Sequence, residues 1–526
     1  MTCLVGLVAL ILGSCTGPRT PDLPVMENGR VEVLRMEGGD WGYPTPFAHY
    51  PRGPGGFKMA LIFDSLLERD ETGLIPWLAE SWEISDMGKT YVFTIRKGVI
   101  WHDGKPLTPD DVCFSFNYAS KHAATWATVF GVIEQVETLG GNRVRVRVNE
   151  KGATLLYALG TCRIIPAHVW RGIENPRTYL APEALIGTGP YRLTDYSQEH
   201  GTYRFEAFDR FWGPQPRVRV LEYRPVGEPI LAFEKGEIDL TSVPPDLVPR
   251  YAGNPEFALV KSPAFWGYRL VFNMEKSPPL KNTRVRQSIC LAINRDELVE
   301  KIARGAAVPG EAGILPPGHV MYHKPKITYD FDPAQAVRLL QDQGFHVADG
   351  QGEITGAPLL DFHLLISTQE VRMAELIKER LGQVGIMVHL ISVDGKTRDA
   401  RVRDGDYQMA IIGHGGWGQD ADYLWSRFRE NPSLSPSTSG RCGYLNPGLN
   451  VLLDKQHVAL DPALRAKLVA DIQEILAEDL PELALFYTAD YTVYRPATYD
   501  GWMAMFDHHA LSHSKLSYLD RKDGVH

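Results

Sequence analysis

The chain has 526 residues, 44% of them hydrophobic, which is enough for three domains with substantial cores. A net charge of −9 argues against nucleic acid or an anionic lipid surface as a partner. No apolar run after residue 15 is long enough to form a membrane helix.

Residues 3–14 (CLVGLVALILGS) form an apolar run too short to span a bilayer. It ends in Leu12-Gly13-Ser14-Cys15, a pattern similar to a lipobox, in which the cysteine becomes the first mature residue and carries the lipid. A truncated signal with an incidental Cys15 is the alternative. No Lys or Arg precedes the run, although an export signal needs a positive segment there, so the expected start codon lies upstream. Residues 16–29 are rich in Pro and Gly and read as a flexible tether. Residues 40–50 (DWGYPTPFAHY) offer Trp41, Tyr43 and Phe47, rings that either stack on a ligand or pack the loop.

Residues 76–116 carry the densest local information. Tyr91, Phe93 and Ile95 alternate with Val92, Thr94 and Arg96, the period of a strand. Residues 101–106 (WHDGKP) are turn chemistry. Thr108 then opens a helix with Pro109 at its first position and Asp111 closing a capping box. The ordered set Leu78-Ala79-Glu80-Ser81-Trp82, Phe93-x-Ile95-Arg96-x-Gly98-Val99, Trp101-His102-Asp103-Gly104-x-Pro106-x-Thr108 and Asp111-Val112-x-Phe114-Ser115 closely resembles the signature of the family 5 bacterial extracellular solute-binding proteins. These are receptors of peptide, oligosaccharide and nickel ABC importers. Met87 departs from that pattern, which has an acidic residue there, and Cys113 replaces a small apolar residue. The resemblance implies an α/β fold of the two-lobe periplasmic-binding-protein type, with an extra subdomain on the first lobe and a ligand cleft between the lobes. It gives His102 and Asp103 a structural role and makes residues 40–50 a lining of the cleft.

Four cysteines remain after Cys3 and Cys15: Cys113, Cys162, Cys290 and Cys442. Cys113 and Cys290 sit on apolar helix faces and read as buried thiols; no cysteine pairing is assigned, and no spacing suggests zinc. Residues 186–191 (IGTGPY) resemble the family's re-entry into its first lobe, followed by strands around 191–208. Residues 229–240 read as a helix feeding a short strand, and residues 265–273 as a strand leaving that domain; the resemblance implies that this segment enters the second lobe. Thr283 is expected to cap one helix, Asn294 and Glu297 to box the next, and Gly305 to stop it. Asp332-Pro333 opens a helix; strands at 359–367, 386–393 and 407–412 then alternate with helices at 370–382 and 396–403, which argues for parallel strands with helical crossovers. Asp461-Pro462 opens a long helix ending before Pro481, and strands follow at 482–488 and 491–495.

Residues 411–423 (IIGHGGWGQDADY) follow a buried strand. Gly413, Gly415 and Gly418 spell G-x-G-x-x-G, but no acidic residue ends a strand about 20 residues later, so a dinucleotide site is rejected. Gly416-Trp417-x-x-Asp420 is similar to the segment by which peptide-binding members of the family hold their ligand. That likeness implies that Asp420 pairs with the peptide's ammonium group. Gly416 and Gly418 would hydrogen-bond its backbone as an added strand, and Trp417 would wall the cleft. The alternative is an Asx turn or helix cap by Asp420 or Asp422. His414 could donate to a ligand or ligate a metal, and His508, His509 and His513 form a C-terminal cluster that reads as a surface feature, with nickel or zinc binding as the alternative. No metal site, catalytic constellation or cofactor is assigned.

The division expected is a signal over 1–14, a lipid-anchored tether over 15–29, first lobe over 30–62, extra subdomain over 63–185, first lobe again over 186–265, second lobe over 266–494 and a return to the first lobe over 495–526. The leading reading is a monomeric, lipid-anchored, extracytoplasmic receptor that captures peptides by hinge closure and delivers them to an ABC permease with its ATPase subunits. The same scaffold binding an oligosaccharide or chelated nickel is the second reading, and an exported enzyme the third.

Overall fold

The computed structural model describes residues 30–49, 55–122, 129–345, 360–415, 420–429, 443–504 and 511–520. Cys15, the tether, and Gly416, Trp417 and Gly418 lie outside the described residues, as do Cys442, His508 and His509.

The signature folds as its pattern reads. Tyr91, Phe93 and Ile95 are buried along Thr90–Ile95, which pairs with Ala79–Ser85 and Arg143–Val148; Ile133–Leu139 completes a four-stranded antiparallel sheet. The helix Pro109–Lys121 packs Val112, Phe116 and Ala119 against it. At its start Asp111 accepts from the Thr108 N–H at 2.9 Å, closing the expected box.

A second sheet carries Val31–Glu37, Val218–Arg224, Thr202–Ala207 and Tyr191–Ser197 in that order, the first pair parallel and the others antiparallel. The apolar helix Gly55–Ile62 lies against it. Gly187 and Gly189 are needed where the chain re-enters: a Cβ on Gly187 would sit 1.9 Å from the Ile62 carbonyl oxygen, which accepts from the Gly189 N–H at 2.8 Å. Between the two sheets lies a buried charge cluster. Asp64 accepts from Trp77 Nε1 at 2.7 Å, Thr188 Oγ1 at 2.9 Å, Trp212 Nε1 at 3.1 Å and Lys515 Nζ at 2.5 Å. Lys515 also meets Glu68, which Arg163 holds at 2.6 Å.

The largest sheet has six strands in the order Ala307–Pro309, Glu482–Thr488, Trp266–Phe272, Met409–His414, Leu360–Ser367 and Ile386–Val393. The last three are parallel and joined through the helices Val371–Gln383 and Gly395–Arg403, as the alternation implies. Trp266–Phe272 runs antiparallel to Met409–His414, so the sheet is mixed. Two caps differ from expectation. Asn282, not Thr283, caps Thr283–Ala292, accepting from the Arg284 N–H at 2.9 Å. Asn294 does accept from the Glu297 N–H at 3.0 Å, but the Glu297 carboxylate turns to Arg380 and Lys301, because guanidinium and ammonium donors outbid a neutral amide. Cys290 is a buried free thiol as expected, and so is Cys162; Cys113, expected to be buried, is only half-buried, because it packs against the edge of the core rather than within it.

A three-stranded sheet, Leu240–Val243, Tyr491–Tyr494 and Ala258–Lys261, sits beside these bodies. The chain passes from it into the six-stranded sheet through residues 262–265 and comes back through 489–490. These two connectors are tied together: the Ser262 N–H donates to the Asp490 carbonyl at 2.8 Å, and the Asp490 N–H donates to Ser262 Oγ at 2.9 Å.

Candidate ligand cleft

The strand Met409–His414 buries Met409, Ala410, Ile411 and Ile412 and delivers its end to the edge of the six-stranded sheet. His414 stands opposite Gly267, its ring 4.7 Å from that of Tyr423. Trp266, 37% exposed, lies against Gly413, where a Cβ would come 3.1 Å from its indole nitrogen. Beneath Tyr423 are three buried charges that no local pattern announces: Arg269, Arg427 and Glu482. Arg269 Nη1 donates to the Tyr423 hydroxyl at 2.9 Å and lies 3.6 Å from Glu482, which Arg427 also pairs. Burial alone would raise the Tyr423 pKa, but the two guanidiniums outweigh it and hold the phenol below its usual range.

Asp420 makes an Asx turn, its Oδ1 accepting from the Asp422 N–H at 2.7 Å as the helix Asp422–Phe428 begins. Its carboxylate also has a cation. Arg465, from the helix Pro462–Asp479, donates Nη1 to Asp420 Oδ2 at 2.9 Å and Nη2 to Oδ1. The guanidinium side chain is 8% exposed and the carboxylate side chain 37%. A ligand ammonium reaching Asp420 therefore shares a carboxylate rather than meeting a lone one. His319 packs nearby, 6% exposed; its Nδ1 accepts from the Met321 N–H at 3.0 Å, while Nε2 has no hydrogen-bond partner. Burial pushes the His319 pKa down to about 4, with Asp420 opposing and Arg465 and Arg69 reinforcing the drop. Arg69 belongs to Leu67–Asp70, outside the six-stranded body, so charges from two bodies converge here.

On the other side, residues 40–43 leave the end of Val31–Glu37. Asp40 accepts from the Tyr196 hydroxyl at 2.7 Å and the Gly42 N–H at 3.0 Å; the Trp41 N–H donates to Tyr203 Oη at 2.9 Å, and Tyr203 donates to the Gly42 carbonyl at 2.8 Å. Trp41 and Tyr43 are half-buried, Tyr43 with its ring 5.7 Å from Tyr196. Phe47 differs from expectation. It is 3% exposed, with rings of Trp170 and Tyr118 at 5.2 and 5.5 Å, and belongs to the core. Having no polar group to keep wet, it drops inward while Thr45 Oγ1 satisfies the Phe47 and Ala48 N–H groups.

His102 bonds the Gly189 carbonyl through Nε2 at 2.9 Å and accepts from the Gly187 N–H, a structural clamp; burial pushes its pKa down to about 4. Asp103 pairs with His168 at 2.8 Å. His513 stacks on Phe57 at 4.3 Å. Among the described residues no group of three or more His, Cys, Asp or Glu could hold a metal ion.

The two bodies also touch at a seam. The Ala153 N–H donates to the His457 carbonyl at 2.7 Å, and Leu460 fills the space beside Gly88. His457 lies flat on Trp425 at 4.2 Å and pairs with Asp422 at 2.9 Å. The seam is thus linked to the helix that follows Asp420.

Residues 73–434 match the family model for bacterial extracellular solute-binding proteins, family 5 Middle. The chain is 26% identical over 454 residues to the dipeptide-binding protein of Escherichia coli (strain K12), covering 81% of this chain and 82% of that one. It is 27% identical over 386 residues to the nickel-binding periplasmic protein of the same organism, covering 70% and 72%. Its fold matches the crystal structure of NikA from Brucella suis in complex with Fe(III)-EDTA with a TM-score of 0.79 at 25% identity, covering 93% of this chain and 99% of that one. The chain belongs to family 5 of the bacterial extracellular solute-binding proteins and has their two-lobe fold.

Proposed function

We propose that this family 5 member is the substrate-binding receptor of an ABC importer and that it captures peptides between its lobes. The observation that carries the reading is the segment between Met409–His414 and Asp422–Phe428. It has the Gly-Trp-x-x-Asp spacing, it follows a buried strand, and both Asp420 and Arg69, which belongs to another body, act on the buried His319. The likeness to the dipeptide-binding protein of E. coli supports the same ligand class. In this reading Asp420 takes the peptide ammonium alongside Arg465. Gly416 and Gly418 pair with its backbone, and Trp417, Trp41, Tyr43 and His414 line the cleft. The likeness to a nickel-binding relative supports a second reading, chelated nickel, in which His414 is the ring on offer.

The two connectors at 262–265 and 489–490 suit a hinge, because closure then needs dihedral changes in only a few residues. Cys15 would carry a lipid that keeps the mature receptor at the membrane, where permease and ATPase subunits receive its cargo. Native mass spectrometry of protein from its own host, with carried ligand released and sequenced, tests the reading. Peptides released in stoichiometric amount support it. A released metal chelate moves the assignment to the second reading, and a released sugar overturns both.

A further inference from the structure

The helix Gly55–Ile62 (GGFKMALI) has one charged residue, Lys58, and it is only 3% exposed. Its ammonium lies 4.5 Å from the ring centre of Tyr223 and 5.1 Å from that of Tyr203. Among the described residues no carboxylate forms an ion pair with it. Asp40 acts on it from a distance but is already engaged by the Tyr196 hydroxyl and the Gly42 N–H. Two ring faces return about 1–4 kcal/mol, against several kcal/mol for taking an ammonium out of water. Burial accordingly pushes the Lys58 pKa down to about 7. A methionine would fill the same space without that penalty.

The position gives the lysine a use. Met36, Tyr223 and Tyr203 form one row across the sheet, one residue before the carboxyl ends of the parallel strands Val31–Glu37 and Val218–Arg224. Ligands of open α/β sheets approach from the carboxyl ends of the strands. Residues 40–43 leave the same edge and hang from the Tyr203 hydroxyl, the ring on which Lys58 rests.

We propose that Lys58 is a receptor for a carboxylate of the bound solute, on the first-lobe side of the cleft. Two aromatic faces hold the ammonium in place without using its N–H groups, and an arriving carboxylate supplies the missing counter-ion in a dry setting, where charge-assisted hydrogen bonds are strongest. For a peptide the group is the terminal carboxylate. That assignment rests on the peptide reading, whereas carboxylate recognition by Lys58 does not.

The test uses the full chain freed of carried ligand, offered equal mixtures of di- and tripeptides of Ala, Leu and Phe as free acids and as C-terminal amides, with retained peptides counted by mass spectrometry. Wild type should retain acids over amides by at least about tenfold, and K58M should lose that preference while still taking amides as wild type does. Equal uptake of acids and amides by wild type, or an unchanged preference in K58M, overturns the proposal. In parallel, the 13C-dimethylated Lys58 signal of wild type, assigned by comparison with K58R, is followed during citrate addition. If neither peptide set binds, the peptide reading falls and citrate decides for Lys58: a saturable shift of its signal supports the proposal, and an unmoved signal overturns it.

Discussion

Replacing Asp420 by Asn keeps the shape of the side chain and removes its charge, and the structure sets what that should cost twice over. First, Arg465 loses the charge of its partner and one of its two acceptor oxygens there; the Asn amide oxygen remains, and Gln456 Oε1 lies at 3.4 Å. Its guanidinium is nearly buried, whereas the Asp420 side chain is 37% exposed. The loss therefore falls between that of a surface pair, about 0–1 kcal/mol, and that of a broken buried pair, about 3–5 kcal/mol; we expect ~2 kcal/mol of stability. Urea denaturation reads this as a lower midpoint at unchanged slope. Second, a peptide ammonium at Asp420 meets a carboxylate already half-satisfied by Arg465. A lone buried charge would lose about 2–5 kcal/mol on truncation; a shared one should lose ~1–2, about five- to thirtyfold in affinity. Calorimetry on wild type and Asp420→Asn, each with free and N-acetylated peptide, separates the terms. Acetylation should weaken wild type by that factor and the variant hardly at all. Arg465→Met should widen the gap between free and acetylated peptide, because it removes the competing cation. An Asp420→Asn protein as stable as wild type refutes the ion pair, and additive effects of substitution and acetylation refute the ammonium contact.

Acid should act through Glu68. Burial raises its pKa, but Arg163 and Lys515 pull it from 4.5 down to about 2. A carboxylate depressed on folding contributes stability above its unfolded pKa and loses it as pH falls through the folded one, here ~3 kcal/mol between pH 4.5 and 2. Lys515→Met should remove much of that slope and destabilise the protein at neutral pH; an unchanged acid-denaturation profile would count against the cluster. Leu460→Asp places a carboxylate against Gly88 and should open the seam. Small-angle scattering at ligand saturation should then show a larger radius of gyration than wild type, and equal radii would remove the seam from the closing motion. Cys15→Ser should leave the protein soluble or as uncleaved precursor, and a native-host wild type without lipid mass at its mature N-terminus sinks the anchor.

What could be read in the chain, and what could not, divides along contact range. The strand Thr90–Ile95, the Thr108 cap and the parallel strands after residue 360 are written in alternation, caps and periodicity, all within a dozen residues. Even there a charge won over a local rule: Glu297 leaves its capping box because Arg380, 83 residues away, offers two ionic hydrogen bonds. Site groups depend almost wholly on such distant partners. Asp420 was legible from its spacing, but Arg465, 45 residues on, was not. Arg269, Arg427 and Glu482 come from three elements, and nothing near any of them in sequence marks a buried charge. Phe47 shows the converse: three rings in one loop look alike in sequence, yet one faces Trp170 in the core while two stay at the edge. The same reasoning singles out Lys58. An apolar helix that keeps one ammonium over two tyrosines, at the carboxyl ends of parallel strands, gives up stability that a methionine would restore. On packing alone that lysine is unfavourable, and the carboxylate proposed for the bound solute would supply the counter-ion it lacks.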